Sequence, residues 1–321
     1  MAALEFRPSR LLPGAHAQTI AQSLVPGPRV PGRARILDVP VAEGTSIRLL
    51  ISEPAQPPRG TLLLVHGLSG SADSGYMKRT AASALARGWL VARMNLRNCG
   101  GTEALARTLY NAGQSDDAGA ALAALERERS PRPFALLGFS LGGNIGLRYA
   151  GLSSPGCLAD AVVGINPPVD LGRCIEAMER RGNALYHLYF TLGLCSHLRR
   201  IRRVRPVPGP PATFRAVRSV RGFDNAFTAP DAGFAGAGAY YRGSSAADAL
   251  SGIRRPALIL SSQDDPFVPV SMFAPHRGAS AWLRMMHPGA GGHCGYWAGS
   301  APRFWAAEAS LAFLDDALPG G

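Results

Sequence analysis

Short apolar runs alternate with amphipathic stretches along most of this chain, and that alternation restricts it to one class of architecture. Thr61–Val65, Trp89–Met94, Phe134–Gly138, Ala161–Ile165, Ala257–Ser261 and Ala281–Met286 are strand-length and predominantly apolar, as strands buried on both faces are. Helical patterns lie between or after them at Tyr76–Ala86, Asp116–Arg129, Leu141–Ala150 and Arg303–Leu314. Strands and helices in this order build a mostly parallel sheet with helices on both sides. Ahead of it, Ala34–Val41 and Ser46–Ser52 read as two antiparallel strands joined at Glu43-Gly44, after a Pro-rich opening segment.

The rhythm stops between about Asp170 and Ser251. That stretch holds a helical section (Cys174–Arg205), a Pro/Gly-rich turn (Pro206–Pro211) and further helix-compatible sequence, but no good strand. It reads as a helical lid inserted above the sheet. The expected organisation is therefore a first part of the core at 1–169, the lid at 170–251 and a second part of the core at 252–321. No internal repeat is present.

Composition narrows the functional classes. With 46% hydrophobic residues, the 321-residue chain can bury a large core. The net charge of +12 raises nucleic acid as a partner, but Lys78 is the single lysine and the arginines are scattered, as on a solvated surface. No nucleic-acid partner is expected. The one basic concentration is Arg199, Arg200, Arg202, Arg203 and Arg205. Cys99, Cys157, Cys174, Cys195 and Cys294 are odd in number and unpaired in spacing, which suggests reduced thiols in a cytoplasmic protein and no zinc site. Neither a secretory signal nor a membrane anchor is read in Met1–Leu12. Leu185–Leu198, interrupted by His187 and His197, falls short of the roughly 20 residues of a bilayer span.

Three residues with catalytic chemistry each follow a strand, where ligands of parallel α/β sheets sit. Ser140 is the centre of Gly138-Phe139-Ser140-Leu141-Gly142, between a strand and a helix. A nucleophile on so sharp a turn needs small neighbours, and the helix start after it favours a developing oxyanion. An acid follows in Gln263-Asp264-Asp265-Pro266-Phe267-Val268. Asp265 is preferred because in hydrolases of this kind the acid stands one residue before an apolar pair; Asp264 is the second choice. His293, in Gly289-Ala290-Gly291-Gly292-His293-Cys294-Gly295, is the base, and the glycines let it approach the serine; His287 is second. The chain order Ser…Asp…His is that of the α/β-hydrolase fold. Its oxyanion hole would join the N–H of Leu141 to one from His66-Gly67-Leu68-Ser69-Gly70, with Leu68 the choice and His66 a loop-packing residue.

These segments, with Arg97-Asn98-Cys99-Gly100-Gly101, Arg221-Gly222-Phe223-Asp224 and Tyr240-Tyr241-Arg242, resemble the YheT-type, ABHD-like branch of the α/β-hydrolases from about Phe6 onward. The resemblance implies Ser140, Asp265 and His293 as a triad acting on ester or acylglycerol-type lipid substrates. Two departures stand out. No membrane anchor like that of the animal members is read in the opening residues, so stable membrane residence is not expected, and Arg97-Asn98-Cys99-Gly100-Gly101 replaces a common Arg-Gly-Cys-Ser-Gly.

The expected activity is hydrolysis of carboxylic esters through an acyl-enzyme on Ser140, with no cofactor and no metal. An acyltransferase using the same triad, and a non-catalytic binding protein on a hydrolase scaffold, are the alternatives. The lid helix Ala184–Leu198 with the arginines after it has two readings: a packed helix with a solvated basic end, or an apolar acyl channel whose basic rim attracts anionic lipid or a membrane surface. The protein would then be cytoplasmic, at most peripheral to a membrane. Its oligomeric state is not legible in the sequence.

Overall fold

A computed structural model of the chain describes residues 5–301 and 303–318. Among the described residues, eight strands form one sheet in the order β1-β2-β4-β3-β5-β6-β7-β8. They are β1 (Arg35–Ala42), β2 (Thr45–Ser52), β3 (Gly60–Val65), β4 (Trp89–Asn95), β5 (Phe134–Phe139), β6 (Ala161–Ile165), β7 (Ala257–Leu260) and β8 (Leu283–Met286). The pairs β1–β2 and β2–β4 are antiparallel and all the others parallel. The antiparallel hairpin and the parallel run both match the sequence pattern.

Period-two alternation splits the central strands between two cores. Leu62, Leu64, Leu137 and Val163 pack on one face against Met77 and Leu85 of helix α2 (Gly75–Ala86; the earlier helix, α1, is Gly14–Leu24) and against Leu311 of the C-terminal helix Trp305–Ala317. Leu63, Val65 and Leu136 face the other way, toward Leu122 of α3 (Ser115–Arg127) and Ile145 of α4 (Leu141–Leu152). These side chains are almost fully buried, and at about 25 cal/mol per Å² they supply the main drive for the fold.

Between β6 and β7, the described residues form helices and turns only. Here the structure resolves the expected helical section Cys174–Arg205 more finely. It is divided into α5 (Leu171–Met178) and α6 (Ala184–Ile201), with a 3₁₀ turn at Arg181–Asn183 between them. The break is built by Asn183, whose buried amide donates to Ala177 O (2.9 Å) and Pro266 O (2.6 Å), turning the chain back over the sheet. The Pro-rich opening segment also carries a helix, α1, which the sequence pattern did not single out. No described helix is long and apolar enough to cross a membrane.

The arginine concentration mostly serves the protein itself. Arg200 pairs with Glu103 at 3.0 Å, Arg202 donates to the carbonyls of Val207, Gly209 and Pro210, and Arg205 donates to Ala106 O. Arg199 and Arg203 stay exposed. All five cysteines are buried free thiols.

Candidate active site

Parallel strands end together, so the loops after β3, β5, β6, β7 and β8 converge on one edge. After β5 the backbone turns abruptly: Ser140 takes φ +50° and ψ −117°, left-handed for an L-residue, and its N–H donates to Ile165 O at 2.8 Å. Glycine is required on both sides for steric reasons. A methyl group at Gly138 would overlap the carbonyl of Gly142, and one at Gly142 would overlap the carbonyls of Val65 and His66.

His293 reaches Ser140 from the loop after β8, with Nε2 2.9 Å from Oγ. Its Nδ1 lies 2.7 Å from Oδ2 of Asp265, whose side chain has no exposed surface. Four donors surround that carboxylate. His293 and the Nδ2 of Asn166 (2.7 Å) meet Oδ2, while the N–H groups of Phe267 (3.0 Å) and Val268 (2.9 Å) meet Oδ1. Burial disfavours a charged imidazole, but the adjacent Asp265 carboxylate, together with Cys294, outweighs it, so His293 is raised above the ordinary histidine value. The Phe267 ring, 4.1 Å from the imidazole between centroids, covers its side.

The second-choice residues are occupied elsewhere. Asp264 is partly exposed and its Oδ1 accepts the Gly292 N–H at 2.8 Å, which fixes the loop carrying His293. His287 faces the Ser261 carbonyl at 3.1 Å and stacks on Phe273. His66 is fully buried, with Nδ1 2.8 Å from Gly67 O and Nε2 accepting the Leu96 N–H at 3.1 Å. Burial pushes its pKa down to about 4, so it is a neutral brace of the loop after β3.

That loop presents Leu68 beside Ser140. The amides on either side of Leu68 are taken: Gly67 N–H donates to the Tyr76 hydroxyl (3.0 Å) and Ser69 N–H to the Tyr110 hydroxyl (3.1 Å). The Leu68 N–H meets no acceptor among the described residues. Leu141 is the first residue of α4, where an N–H has no intrahelical acceptor.

Two cavities meet at Ser140, sharing Leu68, Phe190 and Phe267 as common wall. One, about 810 Å³ with its opening, is mainly apolar and runs under α5 and α6 past Leu171, Ile175 and Leu194. The other, about 830 Å³ with its opening, is more polar and includes Thr19, Tyr76 and His293.

Three contributors were not foreseen from the sequence. Asn166, at φ +45°, links strands by donating to Asp265 and to Gly292 O (3.3 Å) and accepting the Cys294 N–H (3.3 Å). Its signal was present in Asn166-Pro167-Pro168 directly after a strand, since Asn tolerates left-handed backbone. Thr19 of α1 accepts the His293 N–H at 2.8 Å, and Tyr76 of α2 orders the loop of Leu68. No sequence signal near either residue marks these long-range contacts.

Comparison with known proteins agrees with this architecture. A model of the alpha/beta hydrolase fold family matches residues 60–300. The chain is 31% identical to YheT, a candidate esterase of Escherichia coli (strain K12), over 94% of this chain and 90% of that one. It is 26% identical to a monoacylglycerol lipase of Saccharomyces cerevisiae over 83% of this chain but only 60% of that protein. Among solved structures, the 2,6-dihydroxy-pseudo-oxynicotine hydrolase superposes with a TM-score of 0.61 at 18% identity, covering 94% of this chain and 72% of that one; this likeness concerns the fold. The chain thus belongs to the alpha/beta hydrolase fold family, and within it to the YheT-like carboxylic ester hydrolases.

Proposed function

We propose that Ser140, His293 and Asp265 are the nucleophile, base and acid of this hydrolase. The observation that carries this reading is the position of His293, 2.9 Å from the Ser140 hydroxyl on one side and 2.7 Å from the Asp265 carboxylate on the other. His293 takes the hydroxyl proton as Ser140 Oγ attacks the ester carbonyl carbon. Oxyanion charge develops toward the N–H groups of Leu68 and Leu141. The tetrahedral intermediate then collapses, the C–O bond to the alcohol breaks, and His293 protonates the departing alkoxide. Water, deprotonated by the same imidazole, attacks the acyl-enzyme and releases the acid and free Ser140. Asp265 keeps the imidazole in the tautomer that presents a bare Nε2 to the serine.

The two cavities suggest a division of the substrate. The apolar one suits an aliphatic acyl chain and the more polar one the alcohol portion, with the ester at Ser140 between them. Esters of aliphatic chains, including acylglycerol- or phospholipid-like lipids, fit this arrangement, and the names of the yeast monoacylglycerol lipase and the mouse phospholipase ABHD3 are consistent with it. The helices at 170–251 act as the lid. Leu185, Leu188, Tyr189 and Leu192 expose apolar surface on α6, near the mouth that Tyr189 lines, which supports transient contact with a lipid surface. With three of the five clustered arginines engaged internally, that contact rests on apolar more than on charged groups.

A chain-length series of p-nitrophenyl esters tests the activity. Turnover that lengthens into medium chains and vanishes in Ser140→Ala is expected; undiminished turnover in Ser140→Ala would overturn the assignment. Vesicles separate the lid readings: apolar contact predicts stimulation by neutral and anionic vesicles alike, a basic rim predicts stimulation by anionic vesicles that salt abolishes.

A further inference from the structure

The apolar cavity beside Ser140 contains a carboxyl group that the proposed chemistry does not use. Asp224 is only 7% exposed and lies among Phe223, Tyr240 and Tyr241 in the cavity wall. Its Oδ2 accepts the Tyr241 hydroxyl at 2.8 Å, and no cation among the described residues lies within ion-pairing distance of it. Arg221, three residues away, spends its guanidinium on both oxygens of Glu179 (2.9 and 2.8 Å). Burial pushes the Asp224 carboxyl up to about 6, against the opposing hydrogen bonds of Thr228 and Tyr241 and the more distant charge of Arg221. Tyr241 offsets part of the cost of burying this acid, and a donor entering the cavity would offset more of it.

Two unspent donors line the same cavity. His197 is buried, and its Nδ1 faces an N–H of Arg200 at 3.2 Å, so the ring hydrogen sits on Nε2, which has no partner among the described residues. Tyr240 accepts the Ala112 N–H at 2.9 Å through its hydroxyl oxygen, so its own hydrogen is not used there. A carboxylate acceptor together with N–H and O–H donors matches a group that both donates and accepts. A hydroxyl does both, whereas an ammonium would leave the donors unmet and a bare hydrocarbon would satisfy none of them.

We propose that Asp224, with Tyr240, Tyr241 and His197, forms a polar subsite in this cavity that recognises a hydroxyl group carried by the substrate. The inference rests on the reading of Ser140 as the reactive centre, since that makes the cavity a substrate compartment. If the cavity holds the acyl chain, the hydroxyl belongs to a hydroxyacyl group; if it holds the alcohol portion, the hydroxyl is one of a polyol such as glycerol.

The test compares kcat/KM for ester pairs that differ by one hydroxyl. One pair is a hydroxyacyl ester, taken through a positional series, against the plain acyl ester of equal length; the other is a monoacylglycerol against the corresponding ethyl ester. Wild type should favour the hydroxylated member of one pair by roughly tenfold to a hundredfold, the range for a hydrogen bond to a buried charge, and the pair that responds identifies the source. Asp224→Leu should bring the ratio to about one, and Asp224→Asn should retain part of it. No preference in wild type for either pair, or an unchanged ratio in Asp224→Leu, would overturn the subsite. A second arm does not depend on catalysis: calorimetry on the Ser140→Ala protein with hydroxy and plain fatty acids of equal length. A tenfold or greater preference there, with no turnover by wild type, would sink the Ser140 reading and leave the subsite standing. Turnover with equal binding of the two acids and no preference in either ester pair would do the reverse.

Discussion

Asn166 Nδ2 lies 2.7 Å from Asp265 Oδ2, the same oxygen that faces His293. The relationship joins the end of β6 to the loop after β7, and Asn166 also touches the His293 loop through Gly292 O and the Cys294 N–H. Removing it leaves a buried carboxylate one donor short. Asn166→Ala is expected to reduce kcat roughly tenfold to a hundredfold, since a hydrogen bond to a buried charge contributes about 1.5–3 kcal/mol. Steady-state kinetics at several pH values measure this; a variant with wild-type kcat would show that Asp265 needs no such support.

The pH profile follows from His293. Only a neutral imidazole accepts the Ser140 proton, so activity rises as His293 deprotonates. Because Asp265 raises its pKa, the acid limb of kcat/KM should lie above the ordinary imidazole value of about 6.5. In Asp265→Asn the raising charge is gone. The limb of the residual activity should then move to lower pH, while the rate itself falls by about four orders of magnitude. An acid limb at the same pH in both proteins would contradict the pairing.

Gly142 sits where the nucleophile turn meets β3. Its Cβ position is filled by the Val65 and His66 carbonyls, which are backbone and cannot move aside cheaply. Gly142→Ala should destabilise the protein by about 1–3 kcal/mol or more and abolish turnover, whereas Gly182→Ala, with open space at that position, should do neither. Thermal unfolding and ester turnover on the same preparations check the contrast.

Arg97 opens the Arg97-Asn98-Cys99-Gly100-Gly101 segment and grips Asp117 of α3 with two hydrogen bonds, 2.7 and 2.6 Å, while the Asp117 side chain is 2% exposed. Truncating one partner strands a buried charge, so Arg97→Ala should cost about 3–5 kcal/mol in denaturant unfolding. A loss below about 1 kcal/mol would show that Asp117 finds another partner.

Much of this was legible in the residues because it is local. The strand periodicity marked the sheet, and the turn chemistry around Ser140 and the glycines before His293 marked two candidate site residues within single segments. What escaped was long-range or energetically marginal. Helix α1 has flanking prolines and a modest apolar face, and nothing in Thr19 announces that it will accept the His293 N–H across 274 positions. The break in the helical section at Arg181–Asn183 depends on Asn183 reaching Pro266 O, a contact that exists only once the sheet has brought β7 beside β6. Between the adjacent Asp264 and Asp265 the apolar pair after Asp265 already favoured the latter, and the structure gives the two complementary positions: Asp265 meets the imidazole and Asp264 holds its loop.

The central claim is that Ser140 is the nucleophile. Intact-mass spectrometry after treatment with a fluorophosphonate measures it directly. A single adduct on the wild-type protein, located at Ser140 by peptide mapping and absent from Ser140→Ala, is the predicted result. An adduct that persists in Ser140→Ala, or none on a wild-type protein that turns over esters, would contradict it.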